Sequence, residues 1–82
     1  MNNRINMKLL RDSLKSRGIR IYLHYNDKRS YGSRHKIYVS DENKIKEALI
    51  IVKRFFPNAR IWLSLSGYSL KWKKTIVWEE KR

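Results

Sequence analysis

Arg20-Ile21-Tyr22-Leu23 and Arg60-Ile61-Trp62-Leu63 write one alternating pattern twice, forty residues apart. Side chains along a β-strand point alternately to the two faces of its sheet. Each segment therefore reads as a strand with one aliphatic face and one basic, aromatic face. Ile21, Leu23, Ile61 and Leu63 are expected on a core, with Arg20, Tyr22, Arg60 and Trp62 opposite if both strands join one sheet.

The rest of the chain supplies partners for these strands. Ile5, Leu9, Leu10 and Leu14 recur near helical spacing over residues 4–17, and Gly18 follows as a stop. The first strand runs Ile19–Tyr25, with Ile19, Ile21, Leu23 and Tyr25 inward and Arg20, Tyr22 and His24 outward. A polar loop, 26–33, leads to a second strand, Arg34–Val39, with Ile37 and Val39 inward and Arg34, Lys36 and Tyr38 outward. The pair is expected to be an antiparallel hairpin with a long basic tip. Ser40 or Asp41 caps a second helix running to about Phe56, with Ile45, Ala48, Leu49, Val52 and Phe56 buried and Ile50, Ile51 and Phe55 widening that face. Arg60–Leu65 is the third strand, Ser66–Ser69 a turn, and Leu70–Trp78 a fourth strand in which Lys74 breaks the apolar parity and suggests a bulge. Trp72 and Trp78 fall on the aliphatic parity and are assigned to the core. Glu79–Arg82 is expected to fray.

The expected fold is α+β: two layers, a four-stranded antiparallel sheet with two helices on one face, in the order α-β-β-α-β-β. Residues 1–82 form one domain. A shift of about forty aligns residues 4–40 with 44–78 and leaves an internal duplication open. Cysteine is absent, which excludes disulfides and thiolate metal sites and fits a cytoplasmic location. No signal peptide or membrane-spanning stretch is visible, and no carboxylate cluster, phosphate loop or serine-nucleophile motif. No cofactor and no metal are expected.

Charge narrows the function. Twenty Lys and Arg against seven Asp and Glu give a net charge of +13. Residues 1–40 carry ten basic and two acidic side chains and residues 41–82 ten and five, so both halves are basic. Such an excess attracts polyanions. The open sheet face is expected to present Arg20, Tyr22, His24, Arg34, Lys36, Tyr38, Arg60, Trp62, Lys71 and Lys73, with rings stacking on bases and cations near phosphates. In the first helix Arg4, Lys8, Arg11 and Lys15 recur at intervals of four, three and four and line one face. Lys28, Arg29 and Arg34 lie around the hairpin tip. These residues form the expected nucleic-acid interface, with DNA or RNA as partner. The sheet favours single strands; helix and tip favour a duplex. The face works like an RNA-recognition-motif platform, although element order and signature octapeptide differ.

The expected function is therefore non-catalytic nucleic-acid binding. One alternative is a small viral- or plasmid-type inhibitor or adaptor that binds a protein of a nucleic-acid machine. Edge strands and a small core leave a homodimer open. The other alternative is a ribonuclease. His24 and His35 on adjacent strands supply a general base and acid for a 2′-hydroxyl. Gly32-Ser33-Arg34-His35-Lys36-Ile37-Tyr38 resembles the Gly-Ser-His stretch of small HicA-like toxin ribonucleases, over these seven residues only. Arg34 stands where that motif has its histidine, and the strand order departs from that family.

Overall fold

The computed structural model describes the backbone of residues 3–65 and 71–81 and the side chains of 6–28, 30–65 and 71–80. The elements are α1 (Asn3–Ser16), β1 (Ile21–Arg29), β2 (Gly32–Val39), a 3₁₀ turn (Glu42–Lys44), α2 (Ile45–Phe55), β3 (Arg60–Leu65) and β4 (Trp72–Lys81). The strands form one antiparallel sheet in the order β1-β2-β4-β3. The α+β architecture and the α-β-β-α-β-β order are those read from the sequence.

Each helix end has a local cause. At the close of α1 the Gly18 amide donates to the Lys15 carbonyl and the Ile19 amide to that of Leu14, at 3.0 and 2.9 Å. With Gly18 at φ 71°, this is the paired-bond stop that a glycine in the left-handed region provides. The hydrophobic contact that accompanies such a stop is present too: Leu14 and Ile19 both lie in the core. Asp41 caps the 3₁₀ turn, its Oδ1 accepting from the Asn43 amide at 3.0 Å. This turn, rather than α-helix, occupies the start expected for the second helix.

The core lies between the helices and one face of the sheet. Leu10 and Leu14 of α1 and Ile45, Ala48, Ile51 and Val52 of α2 meet Ile37, Val39, Ile76 and Trp78 of the central strands. Several sequence expectations change here. Leu9 and Ile50 are exposed. So are Leu63 and Trp72, because the end of the β3–β4 hairpin that carries them is not covered by a helix. Trp72 is 68% exposed, whereas Trp78 is fully buried.

The hairpins differ from expectation as well. The polar segment 26–33 is mostly strand, not a long tip: Arg29 pairs with Gly32, leaving Ser30-Tyr31 as a two-residue turn. Lys28 is thus a residue of β1. The bulge sits in β1, between Ile21 and Leu23, and not in β4, whose register runs unbroken from Trp72 to Lys81. Glu79 and Glu80 are not frayed; they pair with Arg34 and Ser33. The expected turn Ser66–Ser69, the strand start at Leu70 and Arg82 lie outside the described residues.

A bulge inserts one residue and reverses the facing of those beyond it. His24 therefore pairs with Ile37 on the helix side and Tyr25 with Lys36 on the other, the reverse of the simple alternation. Tyr22 stays on the face away from the helices, with its ring 5.7 Å from that of Tyr38 and Lys73 Nζ 5.5 Å from its centroid. Among the described residues no helix is long and apolar enough to cross a membrane.

Candidate nucleic-acid interface

The face expected to bind is divided by the fold. Tyr22 and Trp62 are both exposed, but they stand on opposite edge strands, β1 and β3. Tyr38, between them, is only 6% exposed, enclosed by the rings of Tyr22 and Tyr25 at 5.7 and 6.0 Å. It supports its neighbours rather than presenting a ring. Thr75, Val77 and Ser64 are also buried on this side. Thr75 Oγ1 donates to the Trp62 carbonyl at 2.8 Å, fixing the strand beneath the indole.

The cations of this face are partly neutralised. Glu79 Oε1 lies 2.8 Å from Arg60 Nη2 and 3.6 Å from Arg34 Nε. A small hollow of about 120 Å³ lies between Arg34, Lys36, Arg60 and Trp62. Lys73 is half-buried over Tyr22, and Lys71 is exposed just ahead of β4.

The cations of α1 gather at two adjoining clefts beside β1. The first, about 580 Å³, is lined by Arg11, Lys15, Arg20, Tyr22 and His24 among others. The second, about 500 Å³, is lined by Lys8, Arg11, Asp12, His24, Asn26, Lys28, Ser33 and His35. Arg20 thus lines the same cleft as Arg11 and Lys15, whereas the exposed Tyr22 ring lies on the other face of the sheet, beside Tyr38 and Lys73. Among the described residues no carboxylate forms an ion pair with Lys8, Lys15, Arg20 or Lys28. The side chains of Arg4 and Arg29, the remaining members of the expected stripe and tip, are outside the described ones.

Between the two clefts stands a row of near-parallel rings leading into the core. Their centroids are 5.3 Å apart for His24 and His35, 5.1 Å for His35 and Trp78, and 4.8 Å for Trp78 and Phe56. The two imidazoles are hydrogen-bonded, His24 Nε2 to His35 Nδ1 at 3.1 Å. Arg11 Nη2 lies 3.3 Å from His24 Nδ1, and Glu80 Oε1 lies 3.6 Å from His35 Nε2. Sequence reasoning placed the histidines on neighbouring strands but missed Glu80, which it left in the tail, and the Arg11 contact. The number of pairs in the β2–β4 ladder is the signal that brings Glu80 into the sheet.

Burial lowers both imidazole pKa values; for His24 the charges of His35 and then Arg11 add to the effect. The unfolded chain takes up protons near the ordinary value of 6.5, while the folded chain resists them. Their contribution to stability is therefore present above that pH and lost as pH falls below it. Melting temperature measured from about pH 8 down to about pH 5 will fall, and a His24→Gln/His35→Gln variant will show a flatter profile. An unchanged profile in that variant refutes the burial argument.

No family model, curated protein or solved structure matches the chain significantly.

Proposed function

We propose that this protein binds nucleic acid through the α1–β1 surface. The observation that carries the reading is the set Lys8, Arg11, Lys15, Arg20 and Lys28, brought to two adjoining clefts by one helix, one edge strand and the connection between them. Cations spaced along a cleft suit a chain of phosphates, and release of condensed counterions supplies the affinity. A strand that continues round the β1 edge meets the exposed Tyr22 ring on the other face of the sheet, and base–aromatic stacking contributes about 1–3 kcal/mol per base. The sheet face, with Tyr38 enclosed and Arg34 and Arg60 held by Glu79, is a secondary surface on which Lys36, Trp62, Lys71 and Lys73 add contacts.

Titration of labelled single- and double-stranded RNA and DNA across salt concentration tests this. Five phosphate contacts to a single strand predict a slope of log K against log salt of about −3.5. Equal, weak binding to all four probes would sink a shaped site and leave diffuse attraction to the net charge.

One observation favours a second reading, the adaptor that docks on a protein. Leu63, Leu65 and Trp72 are 56%, 48% and 68% exposed, and Leu65 pairs with Trp72 across the hairpin. An exposed apolar cluster of this kind suits a protein surface. Failure of every nucleic-acid probe would turn attention to it.

A further inference from the structure

Arg11, His24 and His35 form a hydrogen-bonded chain in which one neutral arrangement of protons satisfies both bonds, with Glu80 beside its inner end. A guanidinium can only donate, so His24 Nδ1, 3.3 Å from Arg11 Nη2, must accept. The His24 proton then sits on Nε2 and is donated to His35 Nδ1 at 3.1 Å. This leaves the His35 proton on Nε2, directed at Glu80 Oε1 3.6 Å away. At that separation the two do not hydrogen-bond: His35 Nε2 and Glu80 Oε1 are both buried and neither has a hydrogen-bond partner among the described residues. The tautomers are thus set from the Arg11 end, and the Glu80 carboxylate lies where it favours positive charge on the inner ring.

The outer ring faces the binding surface. His24 and Arg11 line both clefts, so a strand lying across the two passes over them, with Lys8 and Lys28 to one side and Lys15 and Arg20 to the other. From this arrangement we infer that the site cleaves RNA, with His24 as general base towards a ribose 2′-hydroxyl. The inference rests on the nucleic-acid reading above and adds a substrate class and a reaction to it.

The step balances without a co-reactant. The 2′-hydroxyl takes the place of Arg11 at His24 Nδ1, and the freed guanidinium moves to the non-bridging phosphoryl oxygens. The 2′-oxygen gives its proton to Nδ1 and bonds to phosphorus. The bond from phosphorus to the 5′-oxygen breaks, and that oxygen takes a proton from solvent. A 2′,3′-cyclic phosphate and a free 5′-hydroxyl result, and His24 returns its proton to water. The charge formed on His24 is stabilised by Glu80 through His35, the role a buried carboxylate plays behind a catalytic imidazole. His35 and Glu80 are positioning residues. Lowered pKa values keep both rings neutral at pH 7, the state a base requires. The charged groups facing His24 are Lys8, Arg11, Asp12 and Lys15 from α1, Arg20 just ahead of β1, Lys28 from its own strand, His35 from β2 and, behind it, Glu80 from β4.

The test uses the full chain, a chelator, a labelled single-stranded RNA and its all-deoxy counterpart. Wild type is expected to bind both and cut only the RNA, leaving a cyclic phosphate. His24→Gln is expected to cut RNA about a hundredfold or more slowly at saturating protein, a single-turnover rate that does not depend on any change in affinity. Glu80→Gln is expected to retain binding and shift the acid limb of the pH–rate profile to lower pH, since the imidazolium loses its carboxylate. A limb that stays in place refutes the relay. RNA that is bound and left intact, or cut equally by the His24→Gln protein, overturns the inference while the binding reading stands. Failure to bind either strand overturns both.

Discussion

Trp78→Ala will destabilise this domain by about 3–5 kcal/mol, and Trp78→Phe by clearly less. The indole is fully buried and stacks on Phe56 at 4.8 Å and on His35 at 5.1 Å. Truncation removes the ring between a core phenylalanine and the histidine pair, so it opens a cavity and unseats His35 together. Phenylalanine keeps a ring in the stack. It also deletes the Trp78 Nε1–H, which is buried and has no hydrogen-bond partner among the described residues. An unsatisfied buried donor costs about 1–3 kcal/mol, which offsets part of the volume lost. A domain of 82 residues has a total stability of roughly 4–12 kcal/mol at the usual stability per residue. The alanine variant therefore comes close to unfolding. Denaturant titration of both variants checks the ordering: equal losses would mean that the stack matters less than the volume, and a loss under about 1 kcal/mol for alanine would mean that the core does not close on this ring.

Trp78 also shows what the sequence could and could not reveal. Its parity with Ile76 placed it correctly, because alternation reports which face a side chain takes. Trp72 shares that parity and is exposed, because alternation does not report whether a helix covers that stretch of the sheet. Leu63 and Leu65 have the same cause, on the strand hydrogen-bonded to β4. The number and order of elements were readable from helical spacing, the glycine stop and turn residues, since each of those signals is local.

The candidate site was less readable because two of its determinants are not local. The bulge in β1 carries His24 to the helix side, and nothing in Ile19–Tyr25 marks it; the extra residue is defined only against the partner strand. Likewise, the hairpin continues through Asn26–Arg29 although this segment is polar and contributes nothing to the core. Pairing with β2, itself backed by β4, makes it a strand, and the same ladder brings Glu80 behind His35. The cationic stripe of α1 was legible at Lys8, Arg11 and Lys15 from spacing alone. That Arg20 and Lys28 join it follows from the position of β1 at the sheet edge beside these clefts.

Reversing four of these charges, Lys8, Lys15, Arg20 and Lys28 to Glu, will weaken binding of a single strand by about a thousandfold or more near 0.1 M salt. Each neutralised phosphate contributes close to a factor of five to ten at that salt through counterion release. Four lost contacts therefore multiply to three powers of ten before repulsion from the new carboxylates is added. All four side chains are exposed, so the fold is expected to survive. The control must separate local from global charge, because the variant also reduces the net charge of +13 by eight. Reversing four exposed cations elsewhere, Lys44 excluded because its Nζ donates to the Gly18 carbonyl, gives that control: Lys46, Lys53 and Arg54 on α2 with Lys74 on β4 make the same change in net charge away from the clefts. If the α1–β1 surface is the site, the control loses far less affinity and keeps a slope near that of wild type, while the cleft variant loses most of both. Equal losses in the two would show that the chain attracts polyanions as a diffuse cation. Single Tyr22→Ala and Trp62→Ala variants complete the comparison: a loss of about 1–3 kcal/mol from Tyr22 alone carries the strand round the β1 edge, an equal loss from Trp62 extends it across the sheet face, and no loss from either confines it to the clefts.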